Sequence, residues 1–212
     1  QMRNWYYFNW LCGDHILEQH IHNIDVANWF IGEYPNSASG MGGREVRNGI
    51  DHGEIFDHHF VEFKYPSGAI ISSQCRHQPG TKYDVSEAFQ GTKAIVVTSG
   101  DYCKIIDHNG NDMFKHDPSN DISPYQIEHD RLFESIRSGG VINNAEYGAK
   151  STLTAIMGRM ATYTGKEITW EQALNSQQVL VPNDLSWNST PPTLPDSNGR
   201  YSIPKPGQTK LI

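Results

Sequence analysis

The segment Gly13–Gly32, GDHILEQHIHNIDVANWFIG, constrains the fold more than any other, because its apolar residues repeat at helical spacing. Leu17, Ile21, Ile24, Ala27 and Ile31 recur at intervals of four, three, three and four, which makes one stripe along a helix. Asp14 stands where an N-cap is expected, and Gly32 where the helix should stop. On that helix Glu18, His22 and Asp25 fall at i, i+4 and i+7 and project from one side. A strand would instead align Glu18, His20 and His22 on one face, as metal ligands do, and would bury Asp25 beside Leu17, Ile21 and Ile31. That core is poor, so the helix is the better account.

A carboxylate and an imidazole sharing a cleft suit proton transfer to or from a substrate hydroxyl. Histidine changes charge near neutral pH, and an adjacent acid can hold its proton and orientation. The same pair on a solvated helix surface is worth only a few tenths of a kcal/mol. Density favours chemistry here, since seven of the ten histidines lie between His15 and His77.

A chain of 212 residues with 37% hydrophobic content supports one sizeable core and is short for two full domains. The division expected is an α+β domain over residues 1–176 and an extended, proline-rich tail over 177–212, packed on the same domain; six of the eleven prolines fall beyond Ser176. A formal charge of −7 without a basic run argues against a nucleic-acid partner. No apolar run approaches the roughly 20 residues that span a bilayer, and the first residues do not read as a signal peptide. Cys12, Cys75 and Cys103 are too scattered and too few for a disulfide framework or a zinc knuckle.

Along the chain, the aromatic run Arg3–Trp10 reads as a strand. Residues 55–65 alternate with period two, Pro66-Ser67-Gly68 makes a turn, and residues 69–76 return as the antiparallel partner. Further short strands are expected at 84–90, 94–98, 102–106 and 112–115, forming a meander. Helices are expected at 124–138, closed by Gly139-Gly140, and from an Asn144 cap to about Thr164; Thr169 with Gln172 reads as a capping box for a short last helix. Ala145, Ala149, Thr152 and Ala155 offer the long helix a small face for close packing. The fold class that follows is α+β, an open, largely antiparallel sheet with helices packed on one face.

Gly-x-Gly-x-x-Gly, a phosphate loop and a Gly-x-Ser-x-Gly elbow are all missing, and Met41-Gly42-Gly43-Arg44 reads as a glycine-rich loop carrying an arginine. Arg44 could offer a fork of donors to a ligand or pair with a nearby acid. His58 and His59 point to opposite faces of their strand, so one of them at most faces a site, and His77 could line a pocket.

Glu18-x-x-x-His22-x-x-Asp25, with GMGGRE, NNAEYGAKSTLTAIMGRMATYTGKEITWEQALNS and YSIPKPGQTK, resembles the C-terminal domain of the glucose-fructose oxidoreductase, inositol dehydrogenase and MocA-like (Gfo/Idh/MocA) family, in the branch common in Bacteroidetes and Planctomycetes. The resemblance implies the second half of a two-domain dehydrogenase whose N-terminal Rossmann domain, absent from this chain, binds NAD or NADP. No cofactor is then expected in this chain, its own cofactor-binding residues are unknown, and the isolated domain is not expected to be active. His22 matches the family's catalytic acid/base and Glu18 its acidic neighbour, with Asp25, Arg44 and His77 as substrate contacts. A carbohydrate or polyol substrate, the Rossmann domain and a homo-oligomer formed through the sheet are the implied partners, in a bacterial protein either cytoplasmic or exported. Two departures stand out: Glu18 replaces the usual aspartate, and His20 replaces a glycine. They keep open a metal-assisted glycoside lyase or hydrolase using Glu18, His20 and His22, and, in another class, a non-catalytic oligomerisation domain.

Overall fold

The computed structural model describes residues 1–100 and 102–211. By contact they group into two units, Gln1–Thr81 with Ala149–Ile212, and Lys82–Gly148.

The first unit opens differently from expectation. Arg3–Trp10 is not a strand but a 3-10 turn, Trp5–Tyr7, followed by α1, Asn9–Cys12. The backbone bonds are local, Tyr7 N–H to Asn4 O and Cys12 N–H to Phe8 O, and of the eight residues only Phe8 is fully buried, so no period-two face exists for a sheet to cover. The following helix is present but interrupted: α2 spans His15–Glu18 and α3 spans Ile21–Ile31. At the join, His20 N–H reaches back five residues to His15 O, a locally widened turn. Gly32 ends α3 in the left-handed conformation, as the sequence suggests. Ile24 and Ala27 are buried, with Leu17, Ile21 and Ile31 packed at the edge of the core.

The four-stranded sheet beneath these helices has the order β3-β2-β1-β8, antiparallel throughout. Strands β2 (His58–Lys64) and β3 (Ile70–Arg76) form the expected hairpin. Strand β1, Ser37–Gly43, takes in most of what reads as a loop, Met41-Gly42-Gly43. Its sequence SASGMGG has no β-branched or aromatic residue, so propensity hides it. The reason for small residues is steric: a Cβ on Gly40 would collide with the Phe60 carbonyl oxygen and come within 3.2 Å of Thr162, and one on Gly42 would lie 2.6 Å from the His58 carbonyl oxygen.

Helix α5, Ala145–Thr164, packs on the inner face of this sheet. Its buried stripe runs through Ser151, Thr154, Ala155, Gly158, Ala161 and Thr162, whereas Ala149 and Thr152 are exposed. Only Ala155 of the small face read from sequence contributes; a Cβ on Gly158 would approach Phe63 at 2.9 Å and Ile16 at 3.0 Å, which shows how near the helix comes. Ile16, Ala38, Val61, Phe63, Met157, Met160 and Ile168 close the core, each large side chain contributing about 1.5–3 kcal/mol of transfer free energy. Strand β8 (Ile168–Thr169) pairs with β1 and leads into α6 (Trp170–Leu174), whose start carries the expected Thr169/Gln172 capping box. Residues 177–211 contain no helix or strand; Leu211 packs at the core and its carbonyl accepts from Ser176 Oγ.

The second unit is the expected meander. Strands β4 (Glu87–Gln90), β5 (Ile95–Ser99), β6 (Tyr102–Ile106) and β7 (Asp112–Lys115) pair in chain order. Helix α4, Pro124–Ser138, ends at Gly139 as its sequence requires, with Ile127, Leu132, Phe133 and Ile136 exposed. No described helix is long and apolar enough to cross a membrane.

Candidate active site

The polar centre of the first unit is built around Asp14, which sequence spacing reads only as a cap. Asp14 occupies the N-cap position of α2, yet its side chain makes no cap bond and turns inward, fully buried. Its φ of 82° and ψ of 156° lie in a region that side chains other than glycine's enter at a cost of about 1–3 kcal/mol, and among the described residues it is the sole non-glycine with positive φ. That conformation turns the carboxylate toward three hydrogen-bonding partners and one ion-pair contact, His15. Oδ2 accepts from the Tyr163 hydroxyl at 2.5 Å and from Phe56 N–H at 3.1 Å, while Oδ1 lies 3.1 Å from His59 Nε2 and 2.8 Å from His15 Nδ1. His59 Nδ1 meets Thr162 Oγ1 at 2.9 Å.

Electrostatics divide this cluster into unlike parts. Burial opposes the Asp14 charge, but His59 and His15 outweigh it and hold the carboxyl well below its usual range. Burial likewise opposes a charged His15, yet contact with Asp14 and the Cys75 thiol lifts it to about 10. Burial keeps His59 low. His77 stacks on His15 at 4.7 Å and on Tyr6 at 5.2 Å; burial and the neighbouring His15 bring it down to about 4. The Tyr6 hydroxyl lies 3.4 Å from His77 Nε2, and burial together with the nearby Glu18 carboxylate raises the phenol.

The residues expected to carry function are dispersed around this centre. Glu18 ends α2 with Oε2 buried and without a hydrogen-bond partner. His22, on the first turn of α3, is exposed. Asp25 accepts from Ser151 Oγ, which engages its carboxylate with α5 behind it. Arg44 donates from Nε to Ile55 O at 2.9 Å, from Nη1 to Gly53 O at 2.9 Å and from Nη2 to His52 O at 2.6 Å, so it clamps a loop and is not the free fork the sequence suggests. His59 faces the core and His58 the other side, bonded to Asp57 at 2.8 Å.

The metal trio Glu18, His20 and His22 is not assembled. Its members straddle the interruption between α2 and α3, and His20 Nε2 is committed to Ser73 Oγ at 2.8 Å. Among the described residues, the group whose ligand atoms gather within 4.8 Å is Asp14, His15 and His59. Tyr163 and Tyr6 escape sequence reasoning, Asp14 is read there only as a cap and His59 only as one of two alternatives, because the four meet only in the fold; the one local signal is Gly13-Asp14-His15, a glycine, an acid and an imidazole in succession.

Residues 1–97, which carry this centre apart from Thr162 and Tyr163, match the model of the GFO/IDH/MocA C-terminal domain. They belong to that family. No curated protein matches the chain. Solved structures share the fold over more of the chain. A putative oxidoreductase from Thermotoga maritima is 21% identical with a TM-score of 0.62, covering 78% of this chain and 50% of its own. Levoglucosan dehydrogenase, in complex with NADH and levoglucosan, is 14% identical with a TM-score of 0.64, over 78% and 53%. Aldose-aldose oxidoreductase from Caulobacter crescentus, complexed with glycerol, is 16% identical with a TM-score of 0.55, over 78% and 50%. The chain thus spans about half the length of the structures it matches.

Proposed function

We propose that this GFO/IDH/MocA domain is the substrate-side half of an NAD(P)-dependent oxidoreductase acting on a secondary alcohol of a sugar or polyol. A nicotinamide, held chiefly by an N-terminal domain, supplies or accepts the hydride. His22 exchanges the hydroxyl proton, and Glu18 sets the orientation and charge of the pocket. His77, held in the Tyr6–His15 stack, is a substrate contact by position. Asp25 and Arg44 shape the site through α5 and the 52–55 loop.

The observation that supports this best is accessibility. Of His15, His20 and His22, the first is fully buried and the second is half-buried and bonded to Ser73, while His22 alone is exposed. The solved sugar oxidoreductases of the same fold supply the substrate class. Self-association through the outer sheet face, where Met41 and Ile70 are exposed, belongs to the same reading.

The test is a His22→Asn variant in the complete protein, assayed by nicotinamide absorbance across a panel of aldoses and polyols. A fall in kcat of roughly 10²–10⁴ with unchanged cofactor affinity is expected. Wild-type turnover in the variant would remove His22 from the reaction.

A further inference from the structure

The Asp14 cluster brings three metal-ligating side chains together, and its geometry does not rest on the dehydrogenase reading. His15 Nδ1 lies 2.8 Å from Asp14 Oδ1, closer than most hydrogen bonds, yet neither ring nitrogen of this 1%-exposed residue makes a hydrogen bond of acceptable geometry. These two ligand atoms stand in ion-pair contact with no hydrogen bond between them, and with His59 they gather within 4.8 Å. His59 Nε2, 3.1 Å from the same oxygen, adds a further donor, and the two imidazoles lie 4.8 Å apart at 55°. A buried polar nitrogen without a hydrogen bond is costly, and here it coincides with the strained backbone of Asp14. Both costs fall on the residues that converge.

We propose that Asp14, His15 and His59 bind a divalent transition metal, zinc by donor chemistry, with Cys75 completing the shell. One carboxylate oxygen and two imidazoles are zinc donors, and a thiolate fourth ligand gives the closed tetrahedron of a structural site. Cys75 is opposite His59 in the β2–β3 ladder, so both side chains share the inner face. It stands outside the 4.8 Å group and closes on the ion by side-chain rotation. Second-sphere support is in place: Thr162 fixes the far nitrogen of His59, while Tyr163 and Phe56 N–H hold the second oxygen of Asp14. Such an ion would staple the Gly13–Asp14 turn to strands β2 and β3. Burial leaves no place for substrate, so the role is structural.

The experiment uses the full chain expressed in zinc-supplemented medium. Elemental analysis should find about one zinc per chain after dialysis against a mild chelator, falling several-fold in His59→Asn and His15→Gln variants whose circular dichroism is unchanged. So that the test does not depend on those variants folding, wild-type protein is also stripped with a strong chelator and titrated with cobalt. Tetrahedral d–d bands with a thiolate charge-transfer band, the latter lost in Cys75→Ser, are expected. Substoichiometric zinc together with no cobalt d–d bands overturns the site and leaves a proton-sharing network in its place; d–d bands without the thiolate band overturn the assignment of Cys75.

Discussion

Replacing Asp57 by asparagine tests the electrostatic design of the loop that frames the site. The Asp57 side chain is buried, and its Oδ2 accepts three consecutive backbone N–H groups, from Glu45 at 2.9 Å, Val46 at 2.7 Å and Arg47 at 3.1 Å. Oδ1 faces His58 Nδ1 at 2.8 Å. An asparagine can present its oxygen to the three amides and its NH2 to the imidazole, giving up only the long 3.4 Å bond from Gln78 Nε2, so the shape survives while the charge is lost. Hydrogen bonds to a charged acceptor are worth about 1.5–3 kcal/mol and neutral ones about 0.5–1.5, a difference near 1 kcal/mol per bond and about 3 kcal/mol for the three.

The pH dependence follows from the same contacts. Burial opposes ionisation of Asp57, but the His58 bond and the three amides prevail and hold the carboxyl below its usual range. A depressed carboxyl stabilises the fold at pH values above the unfolded-state pKa, about 3.9, and that contribution is lost as pH falls toward the folded value. Urea unfolding of wild type and Asp57→Asn should therefore differ by about 3 kcal/mol at pH 7 and converge progressively below pH 4. Other carboxylates cancel in the difference. A gap below 0.5 kcal/mol at pH 7 (roughly the scatter of neutral surface changes), or one that persists undiminished into acid, would refute the reasoning.

Gly40→Ala forces a methyl group against the Phe60 carbonyl and toward Thr162, and should cost at least ~2 kcal/mol in thermal or urea unfolding; a neutral substitution would mean that β1 and α5 are not packed as described. Arg44→Lys keeps the charge but cannot reach the carbonyls of His52, Gly53 and Ile55 together. It should destabilise the chain by about 1–3 kcal/mol, with any change in substrate KM of the complete protein following that loss, whereas a KM effect at full stability would restore Arg44 as a ligand contact.

Much of the architecture is legible because its signals are local. The caps at Gly32, Gly139 and Thr169, the Pro66-Ser67-Gly68 turn and the period-two strands are written into neighbouring residues, and the structure carries each. The errors have the opposite character. SASGMGG is a strand because β2, β8 and α5 crowd it, and the aromatic run at 3–10 is a 3-10 turn and a short helix that joins no ladder among the described residues. The Glu18-His22-Asp25 spacing presumed an unbroken helix, but the join at Gln19-His20 comes between Glu18 and His22, and Ser151 on a distant segment claims Asp25.

What the sequence determined alone was the α+β class and the family of its first 97 residues, since periodicity, capping chemistry and contiguous motifs need only short-range order. Tertiary structure decided which histidine is open to solvent and which acid is buried. Asp14 meets His59 and Tyr163 across 45 and 149 residues of chain, and no local pattern encodes a distance that only the packing of α5 on the sheet creates.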